Sequence, residues 1–193
     1  MSAVPALKPL ADDAQSEAII ARVQQWLERA VIGLNLCPFA KAVYVKRQVR
    51  FVVTAAETAD ELLAELAQEL TLLDQADPQI LSTTLLIHPG VMQDFLEYNA
   101  FLEEADAAVE ALDLTGVLQV ASFHPDYQFA DSAPDDIENY SNRSPFPILH
   151  VLREESIDQA VDAFPDPESI YGENLKTLRR IGHAGWRALF NDA

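Results

Sequence analysis

Apolar positions along this chain follow two periods, and their alternation predicts the elements. Ile20, Val23, Leu27, Ala30 and Leu34 recur three and four apart, which predicts a helix over about residues 16–32. Gly33 is expected to end it in a left-handed turn. Val49 to Val53 is rich in β-branched residues and reads as a strand. Thr58 and Glu61 have the spacing of a capping box, opening a helix striped by Leu62, Leu66, Leu70 and Leu73 and closed by Asp77-Pro78. Thr83 to Ile87 is a second strand, ending at His88-Pro89. A helix over about 92–112 carries Phe95, Tyr98, Leu102, Ala105, Val109 and Leu112 on one face. Thr115-Gly116 turns the chain into a third strand, Val117 to Phe123, ending at His124-Pro125. Ile148 to Leu152 is a short fourth strand. Ser156 then starts a helix along Ile157, Ala160, Val161 and Phe164. Asp166-Pro167 caps a last helix with the stripe Tyr171, Leu175, Leu178, Gly182, Trp186 and Leu189, in which Gly182 and Gly185 are expected to permit close packing.

Strands separated by helices imply parallel pairing with right-handed crossovers. The expected fold is α/β: a layered arrangement with a mixed, largely parallel sheet of about four strands flanked by helices. The fourth strand has no helix before it, so its direction is open. Residues 1–193 read as one domain, with 1–14 a loose arm. Residues 124–147 have no period, and a stretch this long inside a domain is functional or disordered. Its aromatics, Tyr127, Phe129, Tyr140 and Phe146, argue against disorder.

Charge narrows the partners. Acidic residues outnumber basic ones 31 to 13, for a net charge of −18. Such a surface repels phosphate backbones and anionic lipid, so neither nucleic acid nor membrane is expected. A single cysteine, Cys37, excludes an internal disulfide and fits a cytoplasmic chain. Met1 to Ala14 lacks the apolar core of a signal peptide, and no apolar run reaches the roughly 18–20 residues of a membrane span. No GxGxxG follows a strand, and neither GxxxxGK[ST] nor GxSxG occurs, which disfavours the usual nucleotide loops and the hydrolase elbow.

Three groups of residues could carry chemistry. Cys37 precedes Pro38, a residue suited to the first position of a helix, so Cys37 is a candidate N-cap. A thiol there, near Lys41, is favoured as thiolate; the competing reading is a small buried hydrophobe. His88 and His124 stand at strand ends, where open α/β sheets bind ligands, and His150 lies inside the fourth strand. With Asp126 they could hold zinc or iron, or each could satisfy a nearby backbone group. Asn139, Ser141, Asn142, Arg143 and Ser144 form a polar run in the long loop. Arg143 could grip a carboxylate or phosphate, adding to the positive spot of Lys41, Lys46, Arg47 and Arg50, or could simply pair with Asp135 or Asp136.

Longer stretches carry a family likeness. They are Gly33 to Lys41 (GLNLCPFAK), Gln119 to Phe129 (QVASFHPDYQF), Asn142 to Pro147 (NRSPFP) and His150 to Glu154 (HVLRE). Together they resemble the bacterial domain-of-unknown-function 1415 family over about residues 16 to 190. The resemblance implies a soluble protein without an assigned activity, and its motif positions match at Cys37, His124, Asp126, Asn142, Arg143 and His150. The leading expectation is an enzyme, a hydrolase or group transferase, acting on a small anionic metabolite. Cys37 would be nucleophile or ligand, His124 general base oriented by Asp126, and His150 a second acid/base or ligand. Lys41, Tyr127, Asn142 and Arg143 would hold the substrate under the long loop. The rivals are a metal-dependent enzyme on His88, His124 and His150, and a non-catalytic module presenting Tyr127, Phe129 and Tyr140 to a protein partner.

Overall fold

A computed structural model of the chain describes residues 13–156 and 169–191. The Ile157 to Phe164 stripe and the Asp166-Pro167 cap lie outside the described residues, as does most of the N-terminal arm. Asp13 and Ala14 already belong to the first helix.

Four strands form one sheet: β1 (Val49–Val53), β2 (Thr83–Ile87), β3 (Leu118–Phe123) and β4 (Ile148–Arg153), in the order β1-β2-β4-β3. Among the described residues the helices around it are α1 (Asp13–Trp26), α2 (Ala40–Val45), α3 (Ala59–Gln75), α4 (Phe95–Ala111) and α5 (Ser169–Ala188), and residues 154–156 are helical as well. The α/β expectation holds, but the sheet is not largely parallel. Only β1 and β2 pair in parallel; β4 lies antiparallel to both β2 and β3. The reason lies in the connections. Helices α3 and α4 carry the chain back to the opposite rim, so β1, β2 and β3 all run one way. The β3–β4 segment holds only a short 3-10 turn, Ile137–Ser141, so β4 starts at the rim where β3 ended and fills the gap beside β2.

Strand alternation sorts side chains between two cores. Leu86, Leu149 and Val151 pack against the stripes of α3 and α4, where Leu62, Leu66, Leu70 and Leu73 are fully buried. Each such leucine contributes about 1.5–3 kcal/mol of transfer free energy. Leu85, Ile87 and Ile148 face the other way, onto Val23, Trp26 and Leu27 and onto Leu178 and Trp186 of α5. The Thr58–Glu61 capping box forms as its spacing implied. At the other end of α3, Arg153 donates to the carbonyls of Leu73 and Ala76, placing a cation at a helix C-terminus that has no basic residue of its own.

Two glycines act differently from expectation. Helix α1 continues as a π-helical turn, Leu27–Ile32, and Gly33 is right-handed, with φ −63°. A Cβ at Gly33 would sit 2.3 Å from the Arg29 carbonyl oxygen, so the wide turn requires glycine for space. The left-handed residue is Asn35, with φ 56°. A Cβ at Gly182 would meet no other atom within 4 Å, and the residue instead bends α5 at φ 57°, while close packing falls to Gly185, where a Cβ would lie 2.7 Å from that of Ile181.

Candidate functional site

Same-face positions on three adjacent strands build one wall of a cavity. The register sets Leu85 of β2, His150 of β4 and Ala121 of β3 side by side. Ala121 is small, and space opens beside the imidazole. Trp26, Leu27 and Phe39 cover this space, giving a mainly apolar cavity of about 310 Å³. Cys37 lines it too, so two chemistry-bearing residues from distant segments reach the same space.

His150 has a fixed chemical state. Its Nε2 lies 2.7 Å from Thr83 Oγ1, and that hydroxyl is 2.6 Å from the Val151 carbonyl oxygen. A carbonyl can only accept, so the single hydroxyl proton goes to Val151 and Thr83 must accept from His150. Nε2 therefore carries the ring proton, and Nδ1 keeps its lone pair without a hydrogen-bond partner among the described residues. Burial pushes the pKa down to about 3, so the ring is neutral at physiological pH. Sequence reading missed Thr83. The signal is parity: residues diagonal across an antiparallel pair share a face once the register is known.

Cys37 is a free, half-buried thiol. It does not cap α2, which begins three residues later with Phe39 as its N-cap and no side-chain capping bond. The thiol sits in the turn between Gly33 and α2, where the Cys37 carbonyl accepts from the amide of Ala40. Lys41 is exposed and is not part of the cavity wall. The basic run from Lys41 to Arg50 is not one positive site either, because Arg50 is bound bidentately by Glu69.

His88 and His124 do share a rim, since β2 and β3 run the same way. They flank Tyr98, with ring centroids at 5.5 and 5.1 Å, on the α4 side of the sheet, whereas His150 faces the α1 side. His88 Nδ1 donates to the Val91 carbonyl, and its buried Nε2 has no partner. Burial, reinforced by the nearby His124, lowers the His88 pKa to about 4, although the Val91 bond opposes this. His124 Nε2 donates to the Met92 carbonyl and Nδ1 accepts from the Asp126 amide. Burial lowers its pKa as well. Asp126 thus orients the ring through its backbone, with its own carboxylate exposed. The three candidate metal ligands do not converge, and no group of three His, Cys, Asp or Glu side chains suited to a metal occurs among the described residues.

The long loop is ordered by its own polar residues. Fully buried Asn139 accepts from the Phe129 amide and the Ser132 hydroxyl, and donates to the Ala133 carbonyl. Asn142 donates to Ser122, and its carbonyl receives the His124 amide. Arg143 donates to the carbonyls of Tyr127 and Pro134 and stacks 4.5 Å over Tyr140, with neither Asp135 nor Asp136 as its partner. Tyr127 and Phe129 pack on each other and on Phe95 and Tyr171, while Tyr140 packs on His183 and Trp186. These aromatics hold the loop to the body.

The molecule is thus a layered α/β protein with a mixed sheet and a Cys/His-lined cavity on one face. Among the described residues no helix is long and apolar enough to cross a membrane. Residues 18–188 match the family described as Protein of unknown function (DUF1415), and the chain belongs to that family. No curated protein and no solved structure matches it.

Proposed function

We propose that this chain is an enzyme, a hydrolase or group transferase, in which Cys37 is the reacting group and the cavity holds a small, mainly apolar substrate. The observation that carries the reading is the meeting of Cys37 and His150 on one cavity wall. His150 serves as a hydrogen-bond acceptor that orients the substrate. A ring held near 3 is a poor base at neutral pH, so proton abstraction is not its task. The reactive step is attack by the Cys37 thiolate on a substrate carbonyl. The cavity offers an anion no free guanidinium, because Arg153 of its wall is bound to the end of α3.

The test uses p-nitrophenyl acetate. The thiolate sulfur bonds to the acetyl carbon, the ester C–O bond breaks, p-nitrophenolate leaves with the electron pair, and water then releases acetate from the thioester. Wild-type protein should release p-nitrophenolate and carry an acetyl group on Cys37, seen by intact mass. Cys37→Ser should abolish both, and His150→Phe should lower the rate at least about tenfold, the loss of one orienting hydrogen bond. Equal rates for wild type and Cys37→Ser would overturn the reading.

A further inference from the structure

A second cleft lies between α1, the long loop and α5, with a volume of about 440 Å³. Among the described residues its wall holds two arginines, Arg22 and Arg143, together with Gln25 and Ser144, and no aspartate or glutamate. In a chain with 31 acidic residues and 13 basic ones, a concave surface of this composition is unusual. Neither arginine forms an ion pair with a carboxylate among the described residues. Both guanidinium groups are instead held over aromatic rings, Arg22 at 4.7 Å from the Phe146 centroid and Arg143 at 4.5 Å from Tyr140. Stacking leaves the edge of a guanidinium, where its N–H groups point, open to an anion. Arg143 is further fixed by its bonds to Tyr127 and Pro134, which use only part of its donor set. Trp26 and Trp186 add flat apolar surface, and the buried indole N–H of Trp26 has no acceptor.

From these features we infer that the cleft is a binding site for a small carboxylic acid with a planar apolar body. The carboxylate meets Arg22 and Arg143, and the ring lies against the tryptophans. Cationic forks suit a carboxylate bidentately, and the flat walls suit an aromatic ring. The cleft shares Trp26 with the cavity, but Arg22, Arg143 and Trp186 line the cleft and not the cavity, and the site is independent of the chemistry proposed for Cys37.

Both tryptophans of the chain line this cleft, Trp186 without touching the cavity and Trp26 shared with it, so indole emission reports on the cleft and the Arg22→Gln variant assigns the signal to it. The probe is 4-iodobenzoate, with 4-iodobenzyl alcohol as its neutral counterpart. The acid should quench emission saturably, and the alcohol should bind at least about tenfold more weakly, as expected for loss of a charge-assisted pair. Arg22→Gln should weaken the acid by a similar factor and leave the alcohol unchanged. Arg22 is exposed and its side chain forms no hydrogen bond among the described residues, so the variant should fold, which far-ultraviolet circular dichroism checks. Cys37→Ser should leave the affinity unaltered, which separates this site from the cavity. Absence of saturable quenching, equal binding of acid and alcohol, or an unchanged affinity in Arg22→Gln would each overturn the assignment.

Discussion

Replacing His150 by phenylalanine should remove about half of the protein's sensitivity to mild acid. Burial holds His150 near 3 and His88 near 4 in the folded chain, against about 6.5 for a histidine in the unfolded chain. Lowered folded-state values mean that the unfolded chain takes up more protons as pH falls below about 6.5, so stability falls with it. The contribution is whole above that pH and is lost progressively toward 4 for His88 and toward 3 for His150. Between pH 7 and pH 5 the unfolded ring gains about three-quarters of a proton and the buried ring almost none. The difference is roughly 2 kcal/mol per histidine, or roughly 4 kcal/mol for the pair. His124 shifts in the same direction and adds to the effect. Urea unfolding at the two pH values measures it. Wild type should lose roughly 4 kcal/mol or somewhat more, and His150→Phe should lose about 2 kcal/mol less. Loss of the Thr83 bond and a change in cavity shape act alike at both pH values, so only the pH-dependent difference tests the burial argument. An identical loss in the two proteins would refute it.

Three further changes probe the scaffold. Arg50→Ala strands the Glu69 carboxylate, whose side chain is 3% exposed, and should cost about 3 kcal/mol in denaturant unfolding, with most of it recovered in the double variant Arg50→Met/Glu69→Leu. Gly33→Ala forces a methyl group against the Arg29 carbonyl; it should lower stability by at least about 2 kcal/mol, and a neutral result would show that the π-helical turn has room to relax. Asn139→Ala leaves the Phe129 amide without a partner and takes one of two donors from the Ala133 carbonyl, which keeps the Asp136 amide. It should cost about 2–3 kcal/mol and speed proteolysis within residues 124–147 ahead of global unfolding.

Periodicity made the elements legible because each long stripe corresponds to a buried face. The leucines of α3 and the Phe95 to Val109 series of α4 pack where their spacing placed them. Strand direction was less accessible. A helical connection forces a return to the starting rim, whereas the segment between β3 and β4 could be judged only by the absence of a period. Its antiparallel outcome depends on buried contacts such as those of Asn139, which sequence spacing does not display. Cys37 and Gly33 were misplaced locally for a related reason. A π-helical turn adds a residue to the helical repeat, so stop and start signals tuned to ordinary α-helices fall out of step.

The histidines show how face parity governs the site. A histidine after the last residue of a strand is easily noticed, because a strand end is where ligands commonly bind. In this fold those two rings turn to the α4 side, and neighbouring carbonyls and an amide occupy three of their four ring nitrogens, leaving only His88 Nε2 unpartnered. A histidine in mid-strand faces one layer or the other according to register alone. His150 meets Thr83 on its diagonal and Ala121 at its side, and this combination matters. The threonine fixes the proton on Nε2 and the alanine clears space, so a neutral ring retains an unpartnered acceptor beside a cavity. A valine at position 83 would leave the Nε2 proton without its acceptor, and a bulky residue at 121 would fill the space. The chemistry of this wall therefore depends on two residues that are not themselves reactive.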